Sequence, residues 1–180
     1  MPEKVFQSFK PTHTTQEVIY LTEKTLGKKV TNISRQDLGQ INAVYFATLS
    51  DKTDCVVRIS PKERNSNSFD EEAWAFDKCR VVGVPTPEIL ALNTSPSNFP
   101  EPYMITQRLP GVNGEEAHLS EDQKPAVLSQ LGHYLSLIHS VHIEGFGTLH
   151  KQGETFVGEH PTLWHYIEYE FETGWWLPVV

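Results

Sequence analysis

Hydrophobic residues divide the chain into a strand-rich part and a helix-rich part. Apolar positions at helical spacing predict a first helix, which begins after a capping box formed by Thr14 and Glu17 and ends at Gly27. Five β-rich segments follow, and a second helix separates the third from the fourth. The predicted elements are helices over 15–26 and 69–82 and strands over 30–38, 43–49, 54–59, 88–92 and 103–107.

The pattern changes after the fifth strand, where Leu109, Pro110 and Gly111 break the β-rich sequence. A helix is predicted from Ser120, with Gln123 completing a second capping box, and a further helix over 164–171. Antiparallel strands with one inserted helix, followed by helices, are typical of an α+β fold with two lobes. We therefore predict an N-terminal domain over 1–108, and a connector with the start of a helical lobe over 109–180.

Composition restricts the classes of partner. The chain has 180 residues and a formal net charge of −8, so it lacks the basic surplus of a general nucleic-acid binder or of a protein that binds anionic membranes. No apolar run approaches the roughly 20 residues of a membrane span, and no signal sequence follows Met1. Cys55 and Cys79 fit neither a disulfide framework nor a metal motif. These features predict a cytoplasmic protein with no metal site of its own.

Two features of the strand region could carry chemistry. The loop between the first two strands contains Gly39 and Asn42, whose backbone N–H groups could face a phosphate, although an ordinary hairpin turn has the same composition. Arg58 lies inside the apolar third strand. Because burying an arginine is costly unless it is paired, Arg58 predicts an anionic partner, or else an edge strand that points it to solvent.

Two further segments could complete such a site. Glu72, or next best Glu71, is a candidate ion-pair partner of Arg58, although the acidic run 70–72 is also typical of a solvated helix face. The segment 106–111 leads from a strand into a connector, so its backbone C=O and N–H groups could hold a planar heterocycle. A plain linker between two lobes is the alternative interpretation of that segment.

The order and spacing of these pieces resemble the aminoglycoside phosphotransferase and choline kinase-like family, whose members have a protein-kinase-like fold. The most specific stretches are NAVY at 42–45, VVRI at 56–59, GVPTPEIL at 83–90 and RLPG at 108–111. The resemblance covers 38–147. It implies an N-lobe with a five-stranded antiparallel sheet and a helix, followed by the first helices of an incomplete helical C-lobe.

The resemblance also implies ATP as the cofactor and a role for each matching residue. The loop would cover the phosphates of ATP, Arg58 would contact its α- and β-phosphates, and Glu72 would orient Arg58. The Gln107 carbonyl and the Leu109 N–H would bind adenine, with Thr106 behind it. The implied ATP-binding residues are Gly39, Gln40, Ile41, Asn42, Arg58, Glu72, Thr106, Gln107 and Leu109.

The catalytic part of the family pattern is missing from the chain. Phosphoryl transfer in this fold needs an Asp that accepts the substrate proton, and an Asn and a second Asp that hold Mg²⁺. No Asp occurs after Asp122, so we assign no catalytic or metal-binding residue and expect Mg²⁺ only in a complete enzyme. The chain is then the N-terminal portion of a longer small-molecule phosphotransferase, or a non-catalytic nucleotide-binding or regulatory protein.

The resemblance further implies a partner. In the complete enzyme, the γ-phosphate of ATP would pass to a hydroxyl of a small molecule. The acidic net charge agrees with a cationic substrate but selects none among aminoglycosides, choline, macrolides and sugar-amines. The remaining C-terminal lobe is the other expected partner, and we expect little or no turnover from residues 1–180 alone.

Overall fold

The structure is a computed structural model that describes residues 13–36, 42–60, 69–94, 99–114 and 116–172. The chain divides into two compact units: 1–70 with 87–116, and 71–86 with 117–180. In chain order, the elements are α1 (Thr15–Leu26), β1 (Val30–Gln36), β2 (Ala43–Leu49), β3 (Asp54–Ile59), α2 (Phe69–Val81), β4 (Ile89–Asn93), β5 (Tyr103–Gln107), α3 (Lys124–His139), β6 (Phe146–Gln152), β7 (Thr155–His160) and α4 (Leu163–Glu172).

The first unit contains a five-stranded antiparallel sheet in the order β1-β2-β3-β5-β4. Alternate residues of β2 and β3 are buried, as expected for a sheet with one face on the core. That core face joins residues of the sheet to residues of α1. Its buried members are Val18, Leu21, Ala43, Tyr45, Ala47, Leu49, Cys55, Val57, Ile59, Tyr103 and Ile105.

Helix α1 begins and ends where the sequence predicts. The Thr14 N–H donates to the Glu17 carboxylate at 2.7 Å, and the Glu17 N–H donates to the Thr14 hydroxyl at 3.3 Å, which completes the capping box. Gly27 adopts a φ of 66°, a left-handed conformation that ends the helix at little cost without a Cβ atom. Local sequence signals therefore fix both ends of this helix.

The predicted α+β fold with a five-stranded antiparallel sheet is confirmed, and the largest difference in an element boundary is at α3. This helix begins at Lys124, four residues after Ser120, because the second capping box is only half formed. The Ser120 N–H donates to the Gln123 side chain at 3.0 Å, but no side-chain hydrogen bond caps the helix itself. In the described part of the chain, no helix is both long and apolar enough to cross a membrane.

The second unit contains a β-hairpin that the sequence analysis did not predict. Strands β6 and β7 pair antiparallel in a region where only helices were expected. The pairing depends on Gly158, because a Cβ atom at that position would lie 2.2 Å from the Phe146 nitrogen. A glycine without a partner motif carries little signal in a sequence, so the hairpin was missed.

Side chains from α2 and the hairpin meet within the second unit. The Trp74 and Phe156 rings pack with their centroids 5.5 Å apart, and Phe156 and Val157 are buried. The predicted apolar stripe of α3 is exposed instead, with Leu128 at 63% and Leu131 at 52% exposure. The helix predicted from this periodicity is therefore present, whereas burial of its apolar stripe is not seen in the described residues.

The turn between β2 and β3 predicts a pH-dependent contribution to stability. Asp51 accepts hydrogen bonds from Lys28 (2.6 Å) and from the Thr53 N–H (3.1 Å), and mainly the Lys28 contact lowers the Asp51 pKa to about 2. A carboxylate with a depressed pKa stabilises the fold above its unfolded pKa of about 4, and the stabilisation is lost as the pH falls toward the folded value. We expect the difference in unfolding free energy between the native chain and Asp51→Asn to shrink between about pH 4 and pH 2. Denaturant titrations across that range measure it, and a constant difference would contradict the assignment.

Candidate functional site

The second face of the sheet, opposite the core, carries a mostly apolar surface. The pairing of β2, β3 and β5 places residues of the three strands side by side, in rows that run across the strands. The middle row consists of Phe46, Val56 and Thr106, and we call it the apolar row. Phe46 and Val56 are half-buried, whereas Thr106 is 5% exposed. A planar apolar group could therefore reach the accessible parts of Phe46 and Val56, but not the buried Thr106.

Arg58 lies beside the middle of the apolar row, next to Val56 along β3. It occupies the row of Val44 and Met104, one step along the strands from Val56. Its guanidinium donates to the Met104 sulfur at 3.1 Å and lies 5.3 Å from the centre of the Phe69 ring. Met104 and Phe69 are both buried, at 0% and 1% exposure, so these two contacts place the cation against buried groups. A lower local dielectric strengthens its attraction for an anion such as phosphate.

The end of β5 holds the connector in a fixed position. The Gln107 N–H donates to the Glu88 carbonyl at 2.8 Å, and the Arg108 N–H donates to the Asp54 carbonyl at 3.0 Å. These bonds tie the end of β5 to the first residue of β3 and to the residue that precedes β4. Within the described residues, the N–H of exposed Leu109 has no acceptor, so it can serve as a donor to a ligand.

A second arginine lies on the opposite side of the apolar row from Arg58. The Arg108 guanidinium packs 4.1 Å from the centre of the Phe46 ring, a cation–π contact. Arg108 belongs to the RLPG motif at 108–111, but no role was predicted for it. Alternation along β5 could have indicated it, since residues 104, 106 and 108 share one face of an extended strand.

Of the remaining predicted residues, only some fall within the described structure. Gly39, Gln40 and Ile41 lie outside the described residues, and Asn42 directly precedes β2. Glu72 is half-buried on α2 in the second unit, and its predicted pairing with Arg58 stays a prediction.

Glu71, the second residue predicted as a possible partner of Arg58, is also on α2. Burial raises the pKa of Glu71, the carboxyl group that was the second choice.

The pKa of Cys55 is likewise raised by burial, to about 11, so its thiol is not a nucleophile near neutral pH.

The geometry fits a nucleotide better than it fits a metal ion. A half-buried cation beside an apolar row matches a ligand with a polyanionic end and a planar end. The described residues contain no group of three or more His, Cys, Asp or Glu side chains placed to hold a metal ion. The arrangement thus offers a cation, an apolar surface and a backbone donor to a bound ligand.

Comparisons with known proteins concern the fold and the family of the chain. No curated protein matches the sequence. The chain resembles a crystal structure described as a "putative fructosamine-3-kinase" from Thermobifida fusca YX-ER1, with a TM-score of 0.58 and 16% identity. The match covers 92% of this chain but 57% of the other, so this chain spans little more than half of that structure. At this identity the likeness shows a shared kinase-like fold alone.

The sequence itself carries the family assignment. The model of the phosphotransferase enzyme family matches residues 32–167, which is most of the chain and includes the whole sheet after the start of β1. The matched range also contains Arg58, the apolar row and the connector. This chain therefore belongs to the phosphotransferase enzyme family.

Proposed function

We propose that this chain is the ATP-binding portion of a small-molecule kinase that transfers the γ-phosphate of ATP to a substrate hydroxyl. The observation that carries the proposal is the position of Arg58, a half-buried cation beside the apolar row. A purine nucleotide joins a planar base to a polyanion, and the two ends of such a ligand match these two features. Family membership supports the same reaction class.

Each residue of the site would have a distinct task. Arg58 would neutralise the α- and β-phosphates, because its planar guanidinium can form two parallel hydrogen bonds to phosphate oxygens. The loop before β2 would cover the phosphates, and Glu72 would orient Arg58. The connector would bind the base. The proposed ATP-binding residues are Gly39, Gln40, Ile41, Asn42, Arg58, Glu72, Thr106, Gln107 and Leu109.

We propose that the catalytic base and the Mg²⁺ ligands belong to further residues of a longer protein. Transfer to a hydroxyl needs an Asp to accept its proton, and this chain has no Asp after Asp122. The chain spans 57% of the similar solved structure, which is consistent with a missing helical lobe. In the complete enzyme, bound Mg²⁺ would neutralise charge on the phosphates, while Arg58 and the connector would orient the nucleotide.

The proposed substrate is a small molecule with a hydroxyl group and a positive charge. The net charge of −8 favours the approach of a cation, although it does not select one. Aminoglycosides, choline and sugar-amines fit, and the description of the similar structure makes an amine-linked sugar the first compound to test. With a soluble substrate of this kind, we propose that the protein acts in the cytoplasm.

A second candidate is a non-catalytic protein that binds a nucleotide and does not transfer phosphate. The absence of Asp from residues 123–180 favours it. Extending the chain with the residues that follow it in the genome distinguishes the two candidates, because activity would appear only for the kinase.

The test of the proposed function is a titration of the full 180-residue chain with ATP by calorimetry, paired with an assay of ADP release in the presence of a fructosamine and Mg²⁺. We expect saturable ATP binding and no ADP release above the level without protein. Failure to bind ATP would contradict the proposed site. Steady ADP release that depends on the fructosamine would show instead that a residue within this chain serves as the base.

A further inference from the structure

We propose that Arg108 contacts the nucleobase and is a binding residue of the site in its own right. The inference rests on the proposed nucleotide site and adds to it a residue that neither the sequence motif nor the family match assigns. Its basis is the position of the Arg108 guanidinium, which reaches back across the second face of the sheet to lie 4.1 Å from the centre of the Phe46 ring.

The strand register fixes where this guanidinium lies. Phe46 pairs with Val56, and Val56 pairs with Thr106, so the ring that Arg108 covers is the outer member of the apolar row. Arg58 lies in the next row, between Val44 and Met104, on the side of the apolar row away from the Arg108 backbone. The apolar row therefore runs between two guanidinium groups. A nucleotide whose phosphates meet Arg58 could extend across this row, so that its base lies near Arg108.

The backbone of Arg108 makes its position reproducible. Its N–H donates to the Asp54 carbonyl at 3.0 Å, and the preceding Gln107 N–H donates to the Glu88 carbonyl at 2.8 Å. Bonds to β3 and to the residue that precedes β4 thus hold the backbone from which the side chain of Arg108 extends. An exposed side chain on a fixed backbone can adjust to a ligand while its origin stays in place.

The chemistry of the guanidinium suits a purine base. It is planar, so it can stack on an aromatic ring, and it carries only hydrogen-bond donors. Purine rings offer nitrogen acceptors at their edges and an aromatic face, and both features attract an arginine. Arg108 would therefore bind the base, whereas Arg58 would bind the phosphates.

Two variants and two ligands test this division of roles. The full chain and its Arg108→Ala variant are titrated with ATP and with inorganic tripolyphosphate, which carries three phosphates and no base. We expect Arg108→Ala to weaken ATP binding about three- to tenfold, the range for loss of one cation–π or hydrogen-bonded contact, with the response to tripolyphosphate unchanged. Arg108→Lys keeps the charge but loses the planar group, so we expect its ATP affinity to lie between those of the native chain and Arg108→Ala.

Arg80→Ala is the matched control, because that arginine pairs with Asp77 on α2 at 2.7 Å and has no part in the proposed contact. Equal ATP affinities for Arg108→Ala and Arg80→Ala would overturn the inference and leave the nucleotide site intact. An equal loss for ATP and tripolyphosphate would also overturn it, since Arg108 would then act on the phosphates or on the fold. Failure of the native chain to bind ATP would instead remove the proposed function.

Discussion

Arg58→Ala is expected to weaken ATP binding by roughly 10- to 100-fold, which corresponds to the loss of charge-assisted hydrogen bonds to phosphate. The guanidinium lies beside two buried groups, the Met104 sulfur and the Phe69 ring, so its interaction with an anion is less weakened by water than that of an exposed lysine. Calorimetric titration of the native chain and the variant with ATP measures the change directly.

The control for this experiment is a cation in the same unit and outside the site. Lys52 lies in the exposed turn between β2 and β3 with a φ of 70°, so asparagine is a better replacement than alanine because it tolerates that conformation. We expect Lys52→Asn to change ATP affinity less than twofold, as an exposed charge contributes little. Similar losses for the two variants would refute the assignment of Arg58 as the phosphate-binding residue.

Ile105→Ala is expected to cost about 2–5 kcal/mol of unfolding free energy, the usual range for a large-to-small change in a core. Ile105 is fully buried in β5 and pairs with Val57 on one side and Ala91 on the other. Truncation leaves a cavity in the middle of the sheet, and the backbone hydrogen bonds on both sides limit how far the strand can move to fill it. Urea denaturation of the native chain and the variant measures the difference.

Leu92→Ala is the companion variant on the neighbouring strand. Leu92 is 38% exposed, so its truncation removes less buried surface and leaves no enclosed cavity. We expect a cost of about 1 kcal/mol or less. If both variants lost the same stability, the division of this sheet into a buried and an accessible face would be wrong.

Most of the sheet could be predicted from the sequence because its signals are local. Strand β2 reads AVYFATL, in which every second residue is buried, and the capping residues around α1 fix both ends of that helix. The β6–β7 hairpin could not be predicted, because it depends on the close approach of Gly158 to Phe146 rather than on a repeating pattern. Contacts between residues distant in sequence leave no periodic signal.

The site was predicted in part, for a similar reason. The position of Arg58 within an apolar strand is unusual enough to be noticed in a sequence, and the register places it beside Val44 and Met104. The roles of Phe69 and Met104 as its neighbours were missed, since only the folded sheet brings them together. The predicted boundary between 108 and 109 also stays a prediction, because the compact units are built from interleaved segments of the chain.

The position of β5 between β3 and β4 has a consequence for how this protein folds while it is being synthesised. Strands β1, β2 and β3 can pair as soon as residue 59 has left the ribosome, but the free edge of β3 is covered only by residues 103–107. Until those residues arrive, the apolar segment DCVVRI presents open backbone groups, a state that favours aggregation. We therefore expect the nascent chain to be most prone to aggregation while the segment between β3 and β5 is being made.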